Sequence, residues 1–423
     1  MPRRDGRAHG QPNDGSRPAG RRPRSGLSPG RLARLDDILR RHVDGGRLPG
    51  LVAVISRRGA EHARAIGTLG LDRPAPMRRD TLFRLASLTK AITAVAAMIL
   101  VEECTLRLDD PVDEWLPELR HRRVLRRIDG ELDDTVPAKR AITLRDLLTF
   151  RSGYGEVALV APMCPLHRAM IEARLPLSTW MFPGAADAFM GALGRLPLAH
   201  QPGERWLYHL SADILGVLIA RASGTSFSAF LRERIFEPLG MRDTGFAVPE
   251  AESDRLATCY RTDVSTGEVT VLPEADADRI TEPPAFESGA GARGLVSTAD
   301  DLLAFGRMML GAGAHGRHRL LSRPAVELMT TDHLTPEQKA ASPLFDDFWD
   351  SRGWGLGLSV VTRRAEIAGP GRFGWDGAFS GSWYVDPREG MIGVLLAQVR
   401  PAALRPSPLV LDFWTAAYQA IDD

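Results

Sequence analysis

The chain has only three cysteines in 423 residues, Cys104, Cys164 and Cys259, with no CxxC pairing. That is too few for a disulfide framework and points to a reducing compartment. No stretch approaches the roughly 18 apolar residues that span a bilayer, so no membrane partner is expected. The arginine pair Arg21-Arg22 is followed by Pro23-Arg24-Ser25-Gly26 rather than an apolar run, so no export signal is read and the chain is expected to be cytoplasmic. The formal net charge is +1, which gives no drive toward nucleic acid or an anionic membrane. There is no HExxH and no Cys/His cluster, P-loop or dinucleotide fingerprint, so neither metal nor cofactor is implied. A G-x-S-x-G pattern at Gly26–Gly30 has no strand before it and no helix expected after it, and is read as chance.

Lysine is the other scarce residue. Of 54 basic side chains, only those at positions 90, 139 and 339 are Lys. An exposed charge can be either residue, and this chain nearly always uses Arg. A retained Lys can do what Arg cannot, because a buried ammonium can lose its proton while a guanidinium keeps its own.

Residues 1 to about 30 are rich in Arg, Gly, Pro and Ser and are expected to be a disordered tail, leaving 31–423 as one domain. Apolar spacing predicts a helix over Leu32–Val43, then a strand over Gly50–Ser56 whose hairpin partner, Glu61–Leu69, turns at Arg58-Gly59. Phe83–Val101 is apolar on every side of a helical wheel and reads as a buried helix. Further helices are expected at Leu144–Phe150, Ala212–Ala222, Ser226–Arg234 and Ala299–Leu310. Strands are expected at Leu356–Val361, Ser382–Val385 and Met391–Val399, and a last helix at Leu409–Ile421. The pattern predicts an α+β fold, its sheet built from both chain ends (about 31–80 and 291–423) around a mainly helical part at about 81–290.

Within the buried run, Ser87 and Lys90 stand three residues apart. If Ser87 opens the helix, Lys90 lies one turn on and on the same face, within reach of its hydroxyl. A serine hydroxyl needs a base before it can attack, and a lysine in an apolar helix has a depressed pKa that suits it to that role. The spacing alone is weak. Its weight comes from being the only Lys of a buried segment in a chain that avoids Lys.

The stretch beginning at Leu82, "LFRLASLTKAITAVAAMILVEECTLRLDDPV", resembles the nucleophile region of the serine β-lactamase and penicillin-binding-protein superfamily. Co-linear matches follow: "ITLRDLLTFRSGYG" at 142–155, "QPGERWLYHLSADILGVLIARASG" at 201–224 and "IFEPLGMRDTGF" at 235–246. Next come "GARGLVSTADDLLAF" at 291–305, "GWGLGLSV" at 353–360 and "FGWDGAFSGSWYVDP" at 373–387. The resemblance implies a β-lactamase/transpeptidase-like fold with an antiparallel sheet flanked by helices, and Ser87 as nucleophile. It also implies that Tyr208 acts with Lys90 in proton transfer, and that the backbone N–H groups of Ser87 and Ala378 form an oxyanion hole.

Two departures from the β-lactamase pattern bear on substrate. Leu210 stands where those enzymes carry an Asn that contacts the substrate amide, and Trp375-Asp376-Gly377 replaces Lys-Thr-Gly. Both forms resemble family VIII carboxylesterases. Trp375 would supply an aromatic wall in place of a cation. Asp376 would repel a substrate carboxylate if it faces the cleft, or else sit in solvent as a turn residue. Gly377 would let backbone approach a tetrahedral intermediate. The expected partner is therefore a small neutral ester rather than an anionic lactam, with β-lactamase, D-amino-acid peptidase or acyltransferase activity, or a non-catalytic binding role on the same scaffold, as the alternatives. His209, between Tyr208 and Leu210, is expected to point away. Cys104, where relatives carry Gly after the nucleophile helix, is read as a loop residue. The segments 155–200 and 260–290 are expected to set substrate choice.

Overall fold

The structure is a computed structural model, and the residues it describes are 25–46, 48–175, 184–272, 291–342, 344–402 and 405–423. Strand β1 (Gly50–Arg57) is buried along its whole length, which its sequence GLVAVISR suits, because both faces of the sheet are covered. Its odd positions Leu51, Ala53 and Ile55 pack with Leu35, Leu39, Phe413 and Trp414, from helices α1 (Pro29–Asp44) and α5 (Pro408–Gln419). Its even positions Val52 and Val54 join the larger core on the opposite face, with α2 (Thr89–Glu102), α3 (Leu210–Ser223) and α4 (Ala299–Leu310). The period of two therefore sorts one strand between two cores.

β1 pairs with β2 (Ala60–Gly67) through a turn in which Arg58 and Gly59 both have positive φ, as the right-handed twist of a two-residue hairpin requires. The remaining strands come from the other end of the chain. They are β3 (Arg352–Trp354), β4 (Ser359–Val361), β5 (Phe373–Asp376), β6 (Ser382–Asp386) and β7 (Met391–Ala397). The seven-stranded antiparallel sheet runs β3-β4-β5-β6-β7-β1-β2, joining both chain ends at β7 and β1. The predicted α+β architecture of the β-lactamase/transpeptidase type is the observed one.

Three expectations change. Phe83–Val101 is not one helix. Phe83–Arg84 pairs with Val296–Ser297, Ala86 takes a left-handed φ of 48°, and a short 3-10 turn over Ala86–Leu88 leads into α2. Apolar periodicity could not reveal this, since a short buried strand and a buried helix are equally apolar. The tail boundary also moves. Residues 1–24 lie outside the described residues, but Leu27 bridges to Ile421, Arg57 donates to the Ser25 carbonyl, and α1 begins at Pro29. A helix thus does follow the G-x-S-x-G pattern, with Ser28 at its N-cap. Finally, Ser226–Arg234 starts as an α-helix at Phe227 and widens into a π-helical turn over Arg232–Phe236. No single helix among the described residues is long and apolar enough to cross a membrane.

Candidate active site

Ser87 sits in the 3-10 turn at the mouth of α2, in the first turn where backbone amides have no partner within the helix. Lys90 is 1% exposed, and its Nζ has three neighbours: Ser87 Oγ at 2.9 Å, the Ala292 carbonyl at 2.7 Å and His209 Nδ1 at 3.2 Å. Burial holds the Lys90 ammonium well below its ordinary pKa; Asp213 and Glu156 oppose that shift and Arg293 adds to it. The carbonyl can only accept. In the neutral amine, one hydrogen goes to Ala292 O and the second to His209 Nδ1, which leaves the nitrogen lone pair for the Ser87 hydroxyl. In that form Lys90 can act as a base toward Ser87.

His209 does not point away as expected. Its backbone is held at φ 91° and ψ −76°, close to the rare γ-turn conformation, and this directs the ring inward against Lys90. Burial and the charges of Arg293 and Lys90 lower its pKa well below the ordinary value, so the imidazole is neutral. Its Nε2 lies 3.6 Å from Asp213 Oδ2. That carboxylate favours the tautomer with the proton on Nε2, leaving Nδ1 free to accept from Lys90. Asp213 in turn accepts from the Ala292 amide at 3.0 Å, tying the loop that carries the Lys90-binding carbonyl to α3. Its own pKa is pushed up to about 6 by burial.

Tyr208 stands over the same site, with Lys90 Nζ 4.8 Å from its ring centroid, and lines the cleft together with Ser87. Burial pushes its pKa up to about 12, so it keeps its proton. Trp375 is more than an aromatic wall. Its indole N–H donates to the Tyr208 hydroxyl at 2.8 Å, and it packs edge-on against Trp354 within a cluster that also holds Phe150, Trp206 and Phe348.

Gly377 follows β5 where the chain passes the nucleophile turn. A Cβ there would lie 2.7 Å from the Leu85 carbonyl, so only glycine allows the approach. Ala378 packs beside Ala86, which brings the Ser87 and Ala378 backbone segments together. Asp376 faces the cleft and is not a solvent turn residue: it accepts from Ser382 Oγ at 2.6 Å and from the Tyr384 hydroxyl at 3.1 Å. Leu210, expected to contact substrate, is instead fully buried in the main core as the first residue of α3 and does not line the cleft. Cys104 is exposed with φ 61°, the left-handed conformation that glycine usually fills.

The cleft is a cavity of about 450 Å³ reaching from Ser87 and Tyr208 past Trp375, Gly377 and Ala378. Four arginines line it, Arg261, Arg352, Arg400 and Arg405, and none was singled out from the sequence. In a chain with this much Arg, no single one signals itself. Of the two segments expected to set substrate choice, 176–183 and 273–290 lie outside the described residues; Arg261, Thr262 and Val264 do line the cleft.

A beta-lactamase family model matches residues 35–408. The chain belongs to the beta-lactamase family. An uncharacterized protein of Mycobacterium tuberculosis is 42% identical over 370 residues, covering 86% of this chain and 89% of that protein. Esterase EstB of Burkholderia gladioli is 32% identical over 406 residues, covering 91% and 95%. Among solved structures, EstCE1, described as a hydrolase with promiscuous acyltransferase activity, superposes with a TM-score of 0.73 at 25% identity, covering 93% of this chain and 99% of that one. The protein is thus a serine hydrolase of this family, and its relatives include an esterase and a hydrolase with acyltransferase activity. Within that family, Asp213 lies in the "Y-x-L-x-x-D-x-L-G" form of the Tyr208 motif, a pattern that carried the residue without its role.

Proposed function

We propose that the protein hydrolyses carboxylic esters through an acyl-enzyme on Ser87. The observation that carries this reading is the position of Lys90 Nζ, 2.9 Å from Ser87 Oγ with Ala292 O at 2.7 Å and His209 Nδ1 at 3.2 Å, an arrangement in which the neutral amine can give its hydrogens to the latter two and turn its lone pair to Ser87. Lys90 accepts the Ser87 proton as Oγ attacks the ester carbonyl, and the backbone N–H groups of Ser87 and Ala378 take the charge that develops on the carbonyl oxygen. As the tetrahedral intermediate collapses, the Lys90 proton passes through the Tyr208 hydroxyl to the departing alcohol. Water then attacks the acyl-enzyme, giving up its proton along the same route in reverse, and Ser87 is regenerated with release of the acid. An alcohol in place of that water gives acyl transfer. Esters are favoured over lactams because Trp375 replaces the cation of the third motif.

The test compares p-nitrophenyl butyrate and nitrocefin as substrates for the unaltered protein and for Ser87→Ala. Ester turnover that disappears in the variant while its circular dichroism is unchanged is the expected result. Undiminished ester turnover in the variant contradicts the assignment, and nitrocefin turnover exceeding that of the ester contradicts the substrate class.

A further inference from the structure

The strands Tyr260–Thr262 and Val399–Arg400 run parallel, with Arg261 directly opposite Arg400. Both side chains are exposed and both line the Ser87 cleft. Like charges facing each other across a ladder repel, and among the described residues neither arginine has a carboxylate within ion-pair distance. The other charges of the cleft are already engaged. Asp376 is the one carboxylate among its lining residues and is held by Ser382 and Tyr384. Arg352 donates to the Tyr384 hydroxyl at 3.3 Å, and Arg405 pairs with Asp347 at 3.3 Å. Among the described residues the cleft lining therefore carries four arginines against one carboxylate; Arg261 and Arg400 have no ion-pair partner there, and the Glu156 carboxylate acts on Arg400 only from a distance.

These two groups are also held in place relative to the reaction centre. Ser380, in the turn that carries Ala378, donates to the Val399 carbonyl at 2.9 Å, and the Tyr260 amide donates to the Gln398 carbonyl at 2.8 Å. The arginine-bearing strands are thereby tethered to the oxyanion turn. We infer that Arg261 and Arg400 form an anion-recognition site for an ester whose acyl chain ends in a carboxylate or phosphate away from the scissile bond. A guanidinium fork matches either group in geometry as well as charge. The inference rests on the ester-hydrolase reading and narrows its substrate class. The sequence-based expectation of neutral substrates considered only Trp375 and Asp376 and could not see cations supplied by two distant strands.

The test uses three p-nitrophenyl esters of one chain length: mono-p-nitrophenyl suberate, its neutral methyl ester, and p-nitrophenyl 8-phosphonooxyoctanoate. At low ionic strength the kcat/KM of an acid form is expected to exceed that of the methyl ester by at least about tenfold, and added salt narrows the gap. In R261Q/R400Q the ratio falls to about one, while R261K/R400K, which keeps charge without the fork, retains an intermediate ratio. The larger of the two acid-form ratios identifies the preferred anion. A ratio of one in the unaltered protein, or a ratio unchanged in R261Q/R400Q, overturns the site. Calorimetric titration with suberate reads the site without turnover: binding weakened at least about tenfold in R261Q/R400Q supports it, and equal or absent binding in both overturns it. Equal hydrolysis of all three esters defeats this inference alone, whereas turnover that survives Ser87→Ala defeats the reading beneath it.

Discussion

His209 Nδ1 lies 3.2 Å from Lys90 Nζ, at the end of a side chain that a left-handed backbone turns into the core. The contact decides which way the Lys90 lone pair faces. With Nδ1 accepting one hydrogen and Ala292 O the other, only the Ser87 direction remains open. Under the proposed mechanism His209 is a positioning residue that acts through Lys90.

Replacing His209 by Leu removes the acceptor and lets the amine rotate. Steady-state kinetics with p-nitrophenyl butyrate should show kcat falling by about tenfold or more with KM little changed, the loss expected for one buried hydrogen bond. His209→Asn, which tolerates positive φ and offers a side-chain oxygen, should recover part of it.

With Lys90 as the proposed base, the charges around it are expected to set the acid limb of the pH–rate profile. Asp213 raises the Lys90 pKa and Arg293 lowers it. Asp213→Asn removes a negative charge, so the ammonium form becomes less favourable and the limb moves to lower pH. Arg293→Gln removes a positive charge and moves it to higher pH. Profiles of kcat/KM against pH check both signs, and shifts in the same direction for the two variants would contradict Lys90 as the titrating base.

Trp375→Phe keeps the aromatic packing and deletes the donor to Tyr208. The expected outcome is a kcat lowered by about tenfold, since roughly 1–2 kcal/mol of orientation is lost from the hydroxyl that returns the proton. Thermal unfolding should change little.

Gly377→Ala sets a methyl group 2.7 Å from the Leu85 carbonyl, and backbone atoms cannot move aside as a side-chain tip can. It should cost about 1–3 kcal/mol of stability and lower kcat by on the order of a hundredfold as the Ala378 turn is pushed from Ser87. Gly381→Ala, whose added carbon meets nothing closer than the Leu88 Cδ1 atom at 3.4 Å, serves as the mild control in the same melting and rate measurements.

Much of this was readable before any coordinates. β1, its turn at Arg58-Gly59 and the helix Ala299–Leu310 follow directly from apolar period and turn chemistry. Ser87, Lys90, Tyr208, Trp375, Gly377 and Ala378 occur in short motifs, and folding brings them to one cleft. The failures have common physical causes. Whether His209 or Leu210 meets the site depends on a single unusual backbone conformation, which residue type does not encode. Phe83–Arg84 reads as helix because pairing with Val296–Ser297 is a long-range event. Arg261 and Arg400 become neighbours only when two remote strands align.

The central claim, a nucleophilic Ser87 activated by Lys90, is tested most directly by mass spectrometry after treatment with a fluorophosphonate. Trypsin cuts after Arg84 and Lys90 and isolates the peptide Leu85–Lys90, in which Ser87 is the only serine. The account predicts one adduct on that peptide, absent in Ser87→Ala and strongly slowed in Lys90→Arg, where the charge is kept and the titration lost. An adduct on another serine with ester turnover intact in Ser87→Ala, or equal labelling of Ser87 in Lys90→Arg, would contradict it.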